Sequence, residues 1–285
     1  MTNRPNNEKK DQRFMVGFWG VRGTVPCPGP HTVRYGGNTS CVEMRLGGQR
    51  LIFDAGTGLR ALGQEIAKAG PTRCHILMSH THLDHIAGLP FFMPAYMQDN
   101  RFELWNGHLA ARKLKLKNVL NELMNEPFFP VPLDIMHSCI AFHDFEAGES
   151  LDLYQDVKIT TTKLNHPGNA TAYRIEYRNK VACYVTDTEH FPDHLDENIL
   201  ALIENADLMI YDATYTPESY PKFVGWGHST WLEGIKLCRA ANVKKLIAFH
   251  HDPSHDDAIM DEIAANMAKE MPGSEPAREG LWLEL

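Results

Sequence analysis

Short apolar runs alternate with polar turns along most of the chain, and the period of each run assigns it to strand or helix. From Phe14 the order begins with FMVGFWG, passes a Gly- and Pro-rich loop, VRGTVPCPGPHTVRYGGN, and resumes as TSCVEMRL and QRLIFDAG, which predicts strands joined by turns. In TGLRALGQEIAKAG, Leu59, Leu62, Ile66 and Ala69 recur at helical spacing until Gly70 and Pro71 stop the element. The strand CHILM then delivers the chain into SHTHLDH.

Residues 91–133 change character. Aromatic and proline-bounded ends, FFMPAY and EPFFPVPLD, surround a predicted helix from about Leu109 to Asn125, and the segment reads as an inserted, largely helical subdomain near a pocket. The earlier style then returns. VKITTTKLNH, TAYRIEYRN and KVACYVTD predict strands, ENILALIENA a helix, DLMIYDAT a strand, TWLEGIKLCRAAN a helix, KKLIAFH a strand and DDAIMDEIAANMAKE the last helix. Two strand-rich halves with outer helices predict a layered α/β fold in one domain, 14–285, behind a polar leader, 1–13. No GxGxxG occupies a strand-to-helix turn and no GxxxxGK[ST] is present, so nucleotide cradles of those kinds are excluded.

Composition narrows the class of partner. Of 285 residues, 43% are hydrophobic and 22% charged, as in soluble domains, and no apolar run reaches the roughly 18 residues of a membrane span. The leader lacks the apolar core of a signal peptide, and the six cysteines are scattered without disulfide or metal spacing, so a reduced, cytoplasmic protein with no membrane partner is expected. Asp and Glu outnumber Lys and Arg by 36 to 28, a balance that repels polyanions but admits a small phosphorylated substrate. The local basic cluster in ARKLKLK, with Arg112, Lys113, Lys115 and Lys117, is the exception; it reads as a solvated helix face or a clamp for phosphates.

The chemistry begins at SHTHLDHIAG, where His80, His82, Asp84 and His85 fall within six residues directly after a strand. Extended chain followed by a turn lets alternate residues converge, whereas a helix would put His80 and His82 on different faces. Imidazoles and carboxylates suit zinc and other borderline divalent ions, and one ion draws ligands from several segments. His166 in KLNHPG, Asp187 in YVTDTE and His250 in LIAFH each lie at a predicted strand end. His251, His255, Asp252, Asp256 and Asp257 compete with His250, which is favoured as the first residue after the strand. The residues alone point to metal-assisted hydrolysis and leave the division of ligands between positions open.

HTHLDH, with His166, Asp187 and His250 behind it, resembles the binuclear centre of the metallo-beta-lactamase fold superfamily over nearly all of residues 14–270. The resemblance implies a four-layer αββα sandwich and two divalent ions, Zn, Mn or Fe. One would be held by His80, His82 and His166, the other by Asp84, His85 and His250, with Asp187 bridging, and a metal-activated hydroxide would attack phosphorus. IYDAT with Asp212 and GWGHST with His228 resemble the paired motifs of transfer RNA 3′-processing endonucleases and their phosphodiesterase relatives. On that basis Asp212 would orient His228, and His228 would stabilise a phosphoryl oxygen or protonate the leaving oxygen. FDAGTG resembles the same branch and casts Asp54 as an orienter of a metal-bound histidine, while Arg22 and Arg34 are candidate phosphate contacts.

Two departures steer the choice of substrate. Tyr211 and Asp212 stand where the endonucleases usually carry His and Glu, and their long Gly- and Pro-rich basic arm is absent. With the acidic balance, this favours a 3′,5′-cyclic nucleotide or related cyclic phosphodiester as substrate. Phe91, Phe92, Tyr96, Phe128 and Phe129 are then candidates for an aromatic lid over the base. RNA is the substrate under the alternative of a transfer RNA 3′-processing endoribonuclease. A second alternative is a metal-binding interaction protein without turnover, and a second copy of the chain is expected as a homodimer partner.

Overall fold

A computed structural model describes residues 12–285. Residues 1–11 of the expected leader lie outside the described residues, and strand β1 (Phe14–Gly20) starts where the first apolar run does. The first half of the chain continues with β2 (Cys41–Leu46), β3 (Gln49–Phe53), helix α1 (Gly58–Ala69), β4 (Arg73–Met78), the short α2 (Leu83–Ile86), β5 (Arg101–Asn106), α3 (Leu116–Leu123) and β6 (Cys139–Asp144). The second half holds β7 (Ser150–Tyr154), β8 (Val157–Leu164), β9 (Ala170–Tyr177), β10 (Lys180–Val185), α4 (Glu197–Ile203), β11 (Leu208–Asp212), α5 (Trp231–Ala240), β12 (Leu246–Phe249), α6 (Asp257–Glu270), β13 (Glu275–Pro276) and β14 (Trp282–Glu284).

The strands form two seven-stranded sheets, in the orders β14-β1-β2-β3-β4-β5-β6 and β13-β12-β11-β10-β9-β8-β7. Each half follows one plan. An antiparallel meander (β1 to β3, or β7 to β10) turns parallel as soon as helices make the connections, giving β3 to β6 and β10 to β13. The chain passes between sheets at the loop between β6 and β7, and again when β14 returns to pair with β1.

Three apolar layers account for the stacking. Phe18, Met44, Phe53, Tyr173, Tyr184 and Phe249 fill the space between the sheets. Ile76, Leu104 and Phe102 pack outward under Leu59, Leu62, Ile66 and Leu120 of α1 and α3. Met209, Val185 and Leu246 do the same under α4, α5 and α6. Helix, sheet, sheet and helix follow in that order, so the molecule is an αββα sandwich.

Residues 91–133 depart from the largely helical insert read from the sequence. They supply β5, which lies between β4 and β6 in the first sheet, and Phe92 is fully buried in the outer layer. The expected helix from Leu109 begins at Leu116, because Lys113 adopts a left-handed conformation (φ 56°) that breaks the spiral after a single 3-10 turn. Among the described residues, no helix is long and apolar enough to cross a membrane.

Candidate metal centre

Parallel strands from both sheets deliver their carboxyl ends to one edge of the sandwich, the position where open α/β sheets collect their functional groups. β3 ends into Asp54, β4 into Ser79 and His80, β10 into Asp187, β11 at Asp212, and β12 into His250. Asp54, Asp187 and His250 share a left-handed backbone, each with φ 60°. Asp and His tolerate this region better than most residues, yet each instance costs of order 1 kcal/mol, and such strain persists where surrounding contacts fix it.

The converging side chains form two adjoining clusters that share Asp187, and a third grouping, Asp187, Asp212, His228 and His250, overlaps the second. In the first, the Asp187 Oδ2 lies 3.5 Å from His80 Nε2 and 3.9 Å from His166 Nε2, and His166 Nε2 faces His82 Nδ1 at 3.2 Å. In the second, Asp187 Oδ1 lies 3.3 Å from His85 Nε2 and 3.4 Å from His250 Nε2, while Asp84 Oδ2 is 3.3 and 3.1 Å from the same two nitrogens. The outward nitrogens of three of these rings are already engaged. His85 Nδ1 donates to Asp54 Oδ2 (2.8 Å), His166 Nδ1 donates to the Gly227 carbonyl (2.8 Å), and His250 Nδ1 meets the Thr214 hydroxyl (2.9 Å). A proton held outward leaves the inward nitrogen of each ring with a lone pair for an ion.

The residues therefore fit divalent ions. The most direct sign is His80 Nε2, which is buried, has no hydrogen-bond partner among the described residues and points into the first cluster. Burial and the neighbouring His85 ring hold His80 well below the usual histidine range, so it is a neutral donor. Burial acts to raise Asp187, but the surrounding histidines overcome it and keep the carboxylate charged. Asp84 is likewise held ionised, and its Oδ2 also accepts from the Thr24 backbone N–H at 2.7 Å. Asp54 is locked by Ser79 N (2.6 Å), Ser79 Oγ (2.7 Å) and Tyr184 OH (2.8 Å), so the ring it orients has little freedom.

His228 stands beside both clusters, its ring 5.3 Å from that of His166 and 4.8 Å from that of His250. Its Nδ1 donates to Asp212 Oδ2 at 2.8 Å, and Asp212 is fixed in turn by Thr188 N, Thr214 N and Thr214 Oγ1. Burial opposes a charged His228 ring, but the Asp212 carboxylate outweighs it and raises the group to about 9. Ions in the adjoining clusters would lower that value toward neutrality, the range useful for proton transfer.

Other sequence candidates lie elsewhere. Arg22, expected at phosphate, is fully buried and donates to the carbonyls of Gly36 (2.8 Å), Asp252 (3.1 Å) and His255 (2.6 Å), pinning the first loop to the segment after β12. Arg34 binds Asp261 and Asp257 of α6 instead of facing the clusters. His251 turns away and donates to the Ala277 carbonyl at 2.8 Å, which leaves His250 in the cluster. A cleft of about 470 Å³ opens onto the clusters, lined in part by Leu83, Asp84, His166, Tyr215, Phe223, Trp226 and His228. None of Phe91, Phe92, Tyr96, Phe128 and Phe129 lines it. Sequence reasoning missed Thr214 and Glu189, whose contacts connect residues far apart in the chain, and the cleft aromatics, which sit in a loop without periodicity.

A family profile described as "Beta-lactamase superfamily domain" matches residues 49–251. Among curated proteins, ribonuclease Z of Archaeoglobus fulgidus is 22% identical over 83% of this chain and 87% of its own. Ribonuclease Z of Gemmatimonas aurantiaca is 23% identical over 95% and 96%. Among solved structures, the metallo-beta-lactamase fold protein YhfI from Bacillus subtilis superposes with a TM-score of 0.70 at 18% identity, covering 96% of this chain and 100% of that one. A diphosphatase from the PhnP family gives 0.66 at 17% identity (96% and 97% covered), and the short form of human tRNase Z gives 0.64 at 17% (94% and 98%).

Proposed function

The chain belongs to the beta-lactamase superfamily, and from that premise we propose that this metal-dependent hydrolase cleaves phosphodiester bonds. The observation that carries the reading is the 2.8 Å Asp212–His228 pair beside the two clusters. A phosphodiester needs help at a phosphoryl oxygen and at a departing alkoxide, and a carboxylate-held imidazole beside the two clusters can supply both.

His80, His82, His166 and Asp187 would hold one divalent ion, and Asp84, His85, His250 and Asp187 the other. Bound ions would supply Lewis acidity toward phosphoryl oxygens and a nucleophile from water at neutral pH. The chain's own groups do the remaining work. Asp54, Gly227 O and Thr214 keep three of the histidine rings in one orientation. Asp212 keeps the His228 proton on Nδ1, so a charged His228 presents its second N–H toward the cleft. That N–H can donate to a phosphoryl oxygen and then transfer its proton to the leaving oxygen, after which Asp212 stabilises the neutral ring.

Ribonuclease Z relatives spanning most of the chain support an RNA 3′ end as the first substrate class, ahead of the cyclic diester that the sequence reading placed first. The cleft supports the cyclic diester as a second reading, since among the described residues neither Lys nor Arg lines it and its volume suits a mononucleotide. Metal-loaded protein incubated with a 3′-extended transfer RNA and, separately, with a panel of cyclic nucleotides separates the two. Cleavage of either should fall about 10²- to 10⁴-fold in His228→Ala; turnover of neither would overturn the phosphodiesterase reading.

A further inference from the structure

The loop between β11 and α5 is built to expose an aromatic surface beside the site. Trp226 is 63% exposed while lining the cleft, and it is flanked by Gly225 and Gly227, both left-handed (φ 89° and 87°), a conformation that costs glycine little. From the site outward, the His228 ring meets Tyr215 at 6.0 Å, Tyr215 stacks on Phe223 at 4.5 Å with planes 4° apart, and Phe223 meets Trp226 edge-on at 5.5 Å. The Glu189 carboxylate clamps this arrangement, accepting from Gly225 N (2.6 Å), Gly227 N (2.8 Å) and Tyr220 OH (2.9 Å). The backbone on both sides of Trp226 is thus pinned, while the indole, touched edge-on by Phe223, stays largely exposed.

We propose that Trp226, backed by Phe223 and Tyr215, is a stacking platform for a nucleobase, so that the substrate is a nucleoside-bearing phosphodiester and not a base-free sugar phosphate. Two features select this ligand. Among the described residues, the cleft offers no Lys or Arg to bind additional phosphates or a polyanionic sugar. Its apolar lining, which includes Leu83 (67% exposed) as well as Tyr215, Phe223 and Trp226, rewards a flat π-surface instead. This inference rests on the phosphodiesterase reading but is tested separately from it.

The probes are a nucleoside monophosphate and ribose 5-phosphate, titrated into metal-loaded protein by calorimetry and by tryptophan fluorescence. The nucleotide should bind more tightly than ribose 5-phosphate and quench fluorescence. Trp226→Ala should weaken nucleotide binding by roughly tenfold, the scale of one lost base–aromatic stack, and leave ribose 5-phosphate binding as it was; Trp226→Phe should restore most of the affinity. Equal binding of the two probes by the native protein, or unchanged nucleotide affinity in Trp226→Ala, would overturn the platform. Nucleotide binding with these responses but no diester turnover would retain the platform and remove the phosphodiesterase reading.

Discussion

Asp187 is the residue on which both clusters depend, because its two oxygens face different sets of histidines. Asp187→Asn keeps the shape and removes the charge, so elemental analysis should find metal lost from both positions. Activity should fall by about 100-fold or more, since even changes to groups that merely orient ligands cost about 10- to 100-fold. His75 makes a different prediction, remote from the site. Trp105 Nε1 donates to its Nδ1 at 3.0 Å, and an indole N–H cannot accept, so the ring must stay neutral. Burial, only partly offset by Glu103, lowers His75 to about 4. The unfolded chain, with an ordinary histidine near 6.5, takes up a proton that the folded chain refuses. Stability is therefore lost as pH falls from about 6.5 to 4, by about 2 kcal/mol from this group. Urea titrations across that range should show a shallower decline in His75→Gln. At this scale the histidines were legible because they crowd into one motif and strand ends. Glu189, Thr214 and Tyr184 were not, since a lone carboxylate or hydroxyl acquires meaning only from a partner distant in sequence.

Elements were legible where their period was long enough to count. The alternation of β8 and the helical stripe of α1 appear in the structure as alternately buried positions and a buried Leu59–Leu62–Ile66 face. β13 and β14, with two and three residues, are too short to show a period and exist through pairing with β12 and β1. β5 does alternate, but it lies amid aromatic and proline signals that dominate its surroundings. The loop before α5 links element to site through Gly227. A Cβ there would run into His166 Nδ1 and Pro167 Cδ, and its φ of 87° disfavours any side chain. Gly227→Ala should thus weaken metal binding more than folding, seen as a lower metal occupancy in dialysis while the far-ultraviolet circular dichroism is retained.

Over the whole molecule, each cluster draws on both halves of the chain. His80, His82, Asp84 and His85 follow β4 of the first sheet, whereas His166, Asp187 and His250 follow strands of the second. Ions bound there would tie the two sheets at one edge, stabilising the folded state by mass action. Chelation should lower the melting temperature by roughly 5 °C or more, and re-addition of Zn or Mn should restore it. The layered architecture itself was readable from the order of strands and outer helices; the placement of residues 91–133 was not, because sheet order is decided by pairing across the fold.

The crossing between sheets after β6 has a practical consequence. Gly148 sits in that loop with an exposed, left-handed backbone and open space around it, and all but the β14 edge of the first sheet precedes it. A gene divided there would yield two fragments, neither carrying all the residues of the His80–His82–His166–Asp187 or the Asp84–His85–Asp187–His250 cluster. Co-expressed, they would form a metal-dependent complementation pair, in which reassembly could be read directly as zinc-titrated recovery of signal.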